Sequence, residues 1–146
     1  MIRRVALLLL LAAGAPVPDP TGRWLTERGD GVVEITRCGA ALCGRLVGGR
    51  IGPGASDIGR DVHGARLCGL TLFSDMHLDE EAGRDVGSSW SGHVYNPLDG
   101  RVYTARLTMP GPDQVRLRGY IGLPLFGASE LWTRFTGALD AECQMR

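Results

Sequence analysis

Apolar and polar residues alternate along this chain with a period of two, in short runs punctuated by glycine, proline and aspartate. No long segment keeps a helical period. The alternation predicts eight strands: Arg23 to Glu27, Val32 to Arg37, Leu42 to Val47, Leu67 to Phe73, Ser89 to Tyr95, Val102 to Met109, Val115 to Ile121 and Ser129 to Phe135. It is clearest where Tyr103, Ala105, Leu107 and Met109 alternate with Val102, Thr104, Arg106 and Thr108. Gly48 to Gly64 reads as loop. Asp75 to Asp85 reads as an acidic surface loop or a single helical turn. Asn96-Pro97-Leu98-Asp99-Gly100 and Pro110-Gly111-Pro112-Asp113 are turn sequences, with proline fixing φ and glycine permitting reversal.

Short links between half-polar strands imply an antiparallel sheet, and closing that sheet removes its exposed edges. The expected fold is therefore all-β: a single eight-stranded antiparallel up-and-down barrel, with a two-sheet sandwich as the alternative. A barrel of this size has room for packed side chains or for one small ligand.

The N-terminus follows a different pattern. Met1-Ile2-Arg3-Arg4 is basic, Val5 to Ala13 is unbroken and apolar, and small residues follow at Ala13 and Ala15. Residues 1–15 read as a secretory signal peptide, with cleavage between Ala13 and Pro18. An uncleaved anchor is the other reading, although the apolar run is too short for a membrane span. Residues 19–146 then form the single β-barrel domain, periplasmic or secreted. Removing Arg3 and Arg4 leaves 14 arginines against 16 acidic residues, a net charge of −2, and the chain has no lysine. That balance argues against nucleic-acid and anionic-membrane binding.

Four cysteines in an exported chain favour disulfides, and three pairings are possible. Cys38 and Cys43 flank a four-residue turn, so they are expected to face each other directly across a hairpin. Cys68 with Cys143 follows by elimination and would tie the C-terminal tail to the barrel; a buried free thiol at Cys68 is the alternative. Gly22-Arg23-Trp24 opens the first strand and Trp132-Thr133-Arg134 lies in the last. In a closed barrel these strands are neighbours, so Arg134 is expected to stack on Trp24. This resembles the Gly-x-Trp opening and late arginine that close one end of lipocalin-like barrels.

Gly22-Arg23-Trp24-Leu25-Thr26, Cys38-Gly39-Ala40-Ala41-Leu42-Cys43-Gly44, Arg66-Leu67-Cys68-Gly69-Leu70, the run Trp90 to Tyr103, Leu117 to Gly122 and Trp132-Thr133-Arg134 form a combined pattern. Together they resemble a widespread family of small exported bacterial proteins defined as a domain of unknown function. The resemblance implies a lipocalin-like, calycin-type barrel and an envelope or secreted location, and it carries no catalytic residues. Asp57 to Arg60 departs from the family's Asp-x-x-Asn-Pro element, keeping only the aspartate.

Candidate chemistry is sparse. His63, His77 and His93 are scattered without metal-ligand spacing, and no metal or cofactor is implied. The acidic stretch from Asp75 to Asp85 lacks a calcium-loop pattern. Ser89, Ser91 and His93 share a strand face, but sequence supplies neither an orienting acid nor an oxyanion donor. Cys38 and Cys43 lack the Cys-x-x-Cys spacing of a redox pair. Trp90, Tyr95 and Tyr103, with Phe73 and Phe126, are candidates to line a cavity or fill it. Arg106, Arg116 and Arg118 are expected to face solvent; in a polar lumen they would select an anion. The expected function is non-catalytic binding of a small apolar or amphipathic ligand. The alternative is a solid barrel acting by surface protein–protein contact in the cell envelope, as an inhibitor or stress factor.

Overall fold

The alternation along the chain is realised as eight strands, seen in a computed structural model that describes residues 18–80, 88–123 and 127–146. They are β1 (Gly22–Leu25), β2 (Gly31–Cys38), β3 (Ala41–Gly49), β4 (Thr71–Leu78), β5 (Ser89–Asn96), β6 (Arg101–Gly111), β7 (Gln114–Tyr120) and β8 (Gly127–Arg134). Each pairs antiparallel with the next, and β8 returns to β1 through Trp24–Arg134 and Leu25–Thr133. The barrel is closed, and no helix occurs among the described residues. The segment read as an export leader lies outside the described residues.

Period-two burial explains why these segments are strands. In β6 and β7, Ala105, Leu107, Val115 and Leu117 point into the core, while Arg106 and Arg116 between them are exposed on the outer wall. Burying each of Leu107, Val115 and Leu117 contributes about 1.5–3 kcal/mol. At one end of the barrel Trp24, Leu42, Met76, Trp90 and Leu107 fill the interior. Val32 departs from the alternation. It is fully buried beside Val33, where the β2–β3 register shifts, and sits close to Leu139 of the C-terminal tail.

Two expectations are corrected. The fourth strand is not Leu67 to Phe73. Leu67-Cys68-Gly69-Leu70 forms a turn closed by the Leu70 amide donating to the Leu67 carbonyl at 3.0 Å, with Gly69 at φ 84°. Its leucines mimic a strand because the turn is partly buried against the barrel rather than solvated. The strand instead runs on through Asp75 to Leu78, part of the stretch read as a loop. There Met76 is fully buried, while the polar residues on either side sit on the outer wall.

The second correction concerns the first cysteine pair. The β2–β3 turn has two residues, Gly39 and Ala40, not four. Gly39 takes a left-handed φ of 66°, which suits a two-residue hairpin. Cys38 therefore opposes Ala41 and Cys43 opposes Thr36, so the disulfide spans the ladder diagonally with a Cα–Cα distance of 5.8 Å. Cys68 and Cys143 form the second bond. Beside it the tail aligns along the end of β3, the Gly49 amide donating to the Cys143 carbonyl at 2.7 Å. The chain-entropy model assigns this long-range bond about 4 kcal/mol and the hairpin bond about 2 kcal/mol.

Candidate ligand-binding site

The two ends of the barrel are unlike. Opposite the filled end, the interior opens into a cleft of about 570 Å³, within the range of small-molecule sites. Its wall comes from alternate inward positions of several strands: Val33 of β2, Leu46 of β3, Leu72 of β4, Val94 of β5, Leu117 of β7 and Trp132 of β8. The rim is supplied by the β1–β2 turn, the long β3–β4 loop, the β5–β6 turn and the ends of β7 and β8. Among the described residues six large apolar side chains are strongly exposed, and two of them, Leu98 and Ile121, line this cleft. Exposed apolar groups gathered around one opening mark a binding surface more than isolated ones do.

Two tyrosines brace the rim. Tyr95, at the end of β5, donates its hydroxyl to Asp61 Oδ2 at 2.6 Å, and Asp61 Oδ1 accepts the amides of His63 and Ala65. Val62 N–H donates to the Pro97 carbonyl and a His63 ring nitrogen lies 3.3 Å from the Gly100 carbonyl, so the β3–β4 loop is bound to the β5–β6 turn. Tyr103 of β6 donates in the same way to Asp99. The Tyr95 bond holds the Asp61 carboxyl below its usual range, and the same bond pushes the Tyr95 hydroxyl up to about 12.

The cleft wall also carries a carboxylate that sequence reasoning did not single out. Glu130 and Trp132 are alternate residues of β8, and both line the cleft. The Trp132 indole N–H donates to Glu130 Oε2 at 2.8 Å. The signal was present as Glu130 standing two residues before an inward tryptophan, but the same spacing occurs by chance in many strands.

Residues 22–134 match the family described as "Uncharacterized protein conserved in bacteria (DUF2147)". The chain belongs to this family. No curated protein and no solved structure matches it. The matched span begins on the first residue of β1 and ends on the last of β8, so the family corresponds to the barrel, and Cys143 lies in a tail beyond it. All four cysteines are bonded, the pattern of a chain folded in an oxidising, extracytoplasmic environment. No helix among the described residues is long and apolar enough to cross a membrane.

In this member of the family the candidate residues divide. Tyr95 and Tyr103 line the cleft. Trp90 does not; it is 6% exposed and belongs to the filled end, and Phe73 is likewise a core residue. Phe126 lies outside the described residues. Arg106 and Arg116 are on the outer wall, and Arg118 donates to Ser129 Oγ at 3.0 Å. Among the described residues no three His, Cys, Asp or Glu side chains converge as metal ligands.

The acid missing from the Ser-His reading is Asp75. It accepts from the His93 amide at 2.9 Å and lies 2.7 Å from Nδ1 of the same histidine. Desolvation pushes its carboxyl up, but the hydrogen bonds and charge of His93 outweigh this and hold it below the usual range. The pair stands half-exposed on the outer wall, away from the cleft, where β4 and β5 share only the His77–Ser91 and Leu78–Trp90 register partners. The Asp75 carboxylate takes over a ladder bond there, a structural task.

Proposed function

We propose that this chain is an exported, non-catalytic binding protein, periplasmic or secreted, whose barrel mouth holds the apolar part of a small amphiphile as lipocalin-like barrels do. The observation that carries this reading is the asymmetry of the interior: side chains fill one end and leave about 570 Å³ at the other. Leu98 and Ile121 support it, because these exposed apolar side chains carry the apolar lining out to the mouth. A partner protein docking on the same rim is the second reading, favoured by the same two side chains.

A fluorescent apolar probe such as N-phenyl-1-naphthylamine tests the reading. Its emission rises on binding, excited by energy transfer from the tryptophans. Gly119→Phe removes this response. A Cβ on Gly119 meets nothing closer than Tyr103 Cβ at 3.5 Å, so the barrel accepts the side chain while the ring fills the cleft. Unchanged probe emission with the wild-type protein refutes ligand holding and leaves the rim as a protein-docking surface. Equal responses from wild type and Gly119→Phe place the probe outside the cleft and also count against it.

A further inference from the structure

We infer that the cleft selects amphiphiles with a cationic head, the Glu130 carboxylate serving as counter-charge; this rests on the ligand-holding reading above. Of the charged side chains lining the cleft, Glu130 is the one carried by a strand. Arg28, Asp30 and Arg60 belong to loops at the rim. Strand register fixes where Glu130 points: it pairs with Leu117 of β7 and alternates with Trp132, both of them core residues. A carboxylate is thereby set against a wall that is otherwise aliphatic and aromatic.

Glu130 is itself exposed at the cleft, so in the free protein water meets the lone pairs that the protein leaves open. An ionised carboxylate offers about four acceptor positions. The Trp132 indole satisfies one, on Oε2, and Oε1 accepts no hydrogen bond among the described residues. No guanidinium reaches Glu130 as an ion-pair partner among these residues. Arg60 is turned into its own loop, donating to the Gly64 carbonyl at 2.9 Å. A ligand ammonium would take the place of that water and bring the opposite charge, and the aromatic side chains of Trp132, Tyr103 and Tyr120 in the same lining add attraction for a cation. At the rim, Asp61 and Asp99, fixed by their tyrosine bonds, offset the charges of Arg28 and Arg60, so Glu130 inside the cleft sets the preference. An anionic head would have to sit beside the Glu130 carboxylate.

Three probes with one tail and different heads make the test: decylammonium, decanol and decanoate, titrated at neutral pH against tryptophan fluorescence. Of the three tryptophans, Trp132 is the one that lines the cleft, so the change reports it. Decylammonium binds about tenfold more tightly than decanoate. Glu130→Gln weakens decylammonium about tenfold and leaves decanol unchanged, because the amide oxygen still accepts the Trp132 N–H. Decanoate binding as tightly as decylammonium, or an unaltered ammonium preference in E130Q, overturns the charge assignment and leaves the cleft reading standing. E130Q losing decanol as well makes Glu130 a structural partner of Trp132 and also overturns it. If none of the three probes binds, both readings fall.

Discussion

The Arg134 guanidinium lies 3.9 Å above the centre of the Trp24 ring, and these two residues are register partners where the last strand meets the first. The contact does more than stack. Nη1 donates to the Thr21 carbonyl and Nη2 to the Pro112 carbonyl, each at 2.8 Å, while the Trp24 indole N–H donates to the Pro20 carbonyl at 2.8 Å. One planar cation thus joins the chain entering β1, the β6–β7 turn and the tryptophan that fills this end of the barrel. The filled end is what makes the opposite end a cup rather than a pore.

Replacing Arg134 by alanine is expected to cost about 2–3 kcal/mol, combining the lost cation–π contact with two charge-assisted hydrogen bonds to carbonyls. Urea unfolding measures it as a lower midpoint at unchanged slope. Arg134→Lys recovers only part of the loss, since a single ammonium cannot span both carbonyls while stacking on the ring. An alanine variant within about 0.5 kcal/mol of wild type shows that the seam is held by strand pairing alone.

The Tyr95–Asp61 bond gives rim stability a definite pH window. Hydrogen bonding to Asp61, then burial and the Asp61 charge, push Tyr95 from 10.0 up to about 12. A folded value above the unfolded one means the contribution is full below about 10 and is lost as pH rises through about 12. On the acid side the Tyr95 bond, opposed by desolvation and helped by the Ala65 and His63 amides, lowers Asp61 beneath 3.8. That contribution is present above 3.8 and lost as pH falls through the lower folded value. The stability gap between wild type and Tyr95→Phe therefore stays open at neutral pH and closes between about 10 and about 12. Tyrosinate absorbance checks the assignment directly: the step near 12 disappears in the variant, and its persistence there at full amplitude would contradict the pairing.

Strand count, barrel closure and the Trp24–Arg134 contact were legible because each rests on a period-two pattern or on the two ends of the strand series. The Cys68–Cys143 bond followed from there being four cysteines and one obvious local pair. What sequence misassigned were segments whose burial has another source. Leu67 and Leu70 are apolar because a turn packs on the barrel, and Asp75 and His77 are polar because they face out on either side of the buried Met76. The cleft itself was illegible. Val33, Val94 and Leu117 read alike whether they meet a neighbour or an opening, and the difference arises only when all eight strands are assembled. Asp61 and Asp99 came from loops, where no period indicates which tyrosine they will meet.

The Cys38-to-Gly44 block holds a further relation that a single substitution can test. Gly39 supplies the left-handed turn residue, Leu42 enters the core, and the two cysteines lock the hairpin. Gly44 is there for a different reason: it faces Phe73 across β3 and β4, and a Cβ on it would come within 2.3 Å of the Phe73 ring. That ring is 3% exposed and cannot move outward without leaving a void beside Met76 and Leu72 in the same core. Gly44→Ala is expected to cost about 1–3 kcal/mol as an overpacked core. Phe73→Leu loses apolar burial on its own but relieves the clash, so the double variant Gly44→Ala/Phe73→Leu is more stable than the sum of the two single losses. Urea midpoints of the four proteins close the cycle. Strict additivity would mean that Phe73 is not what holds this position to glycine.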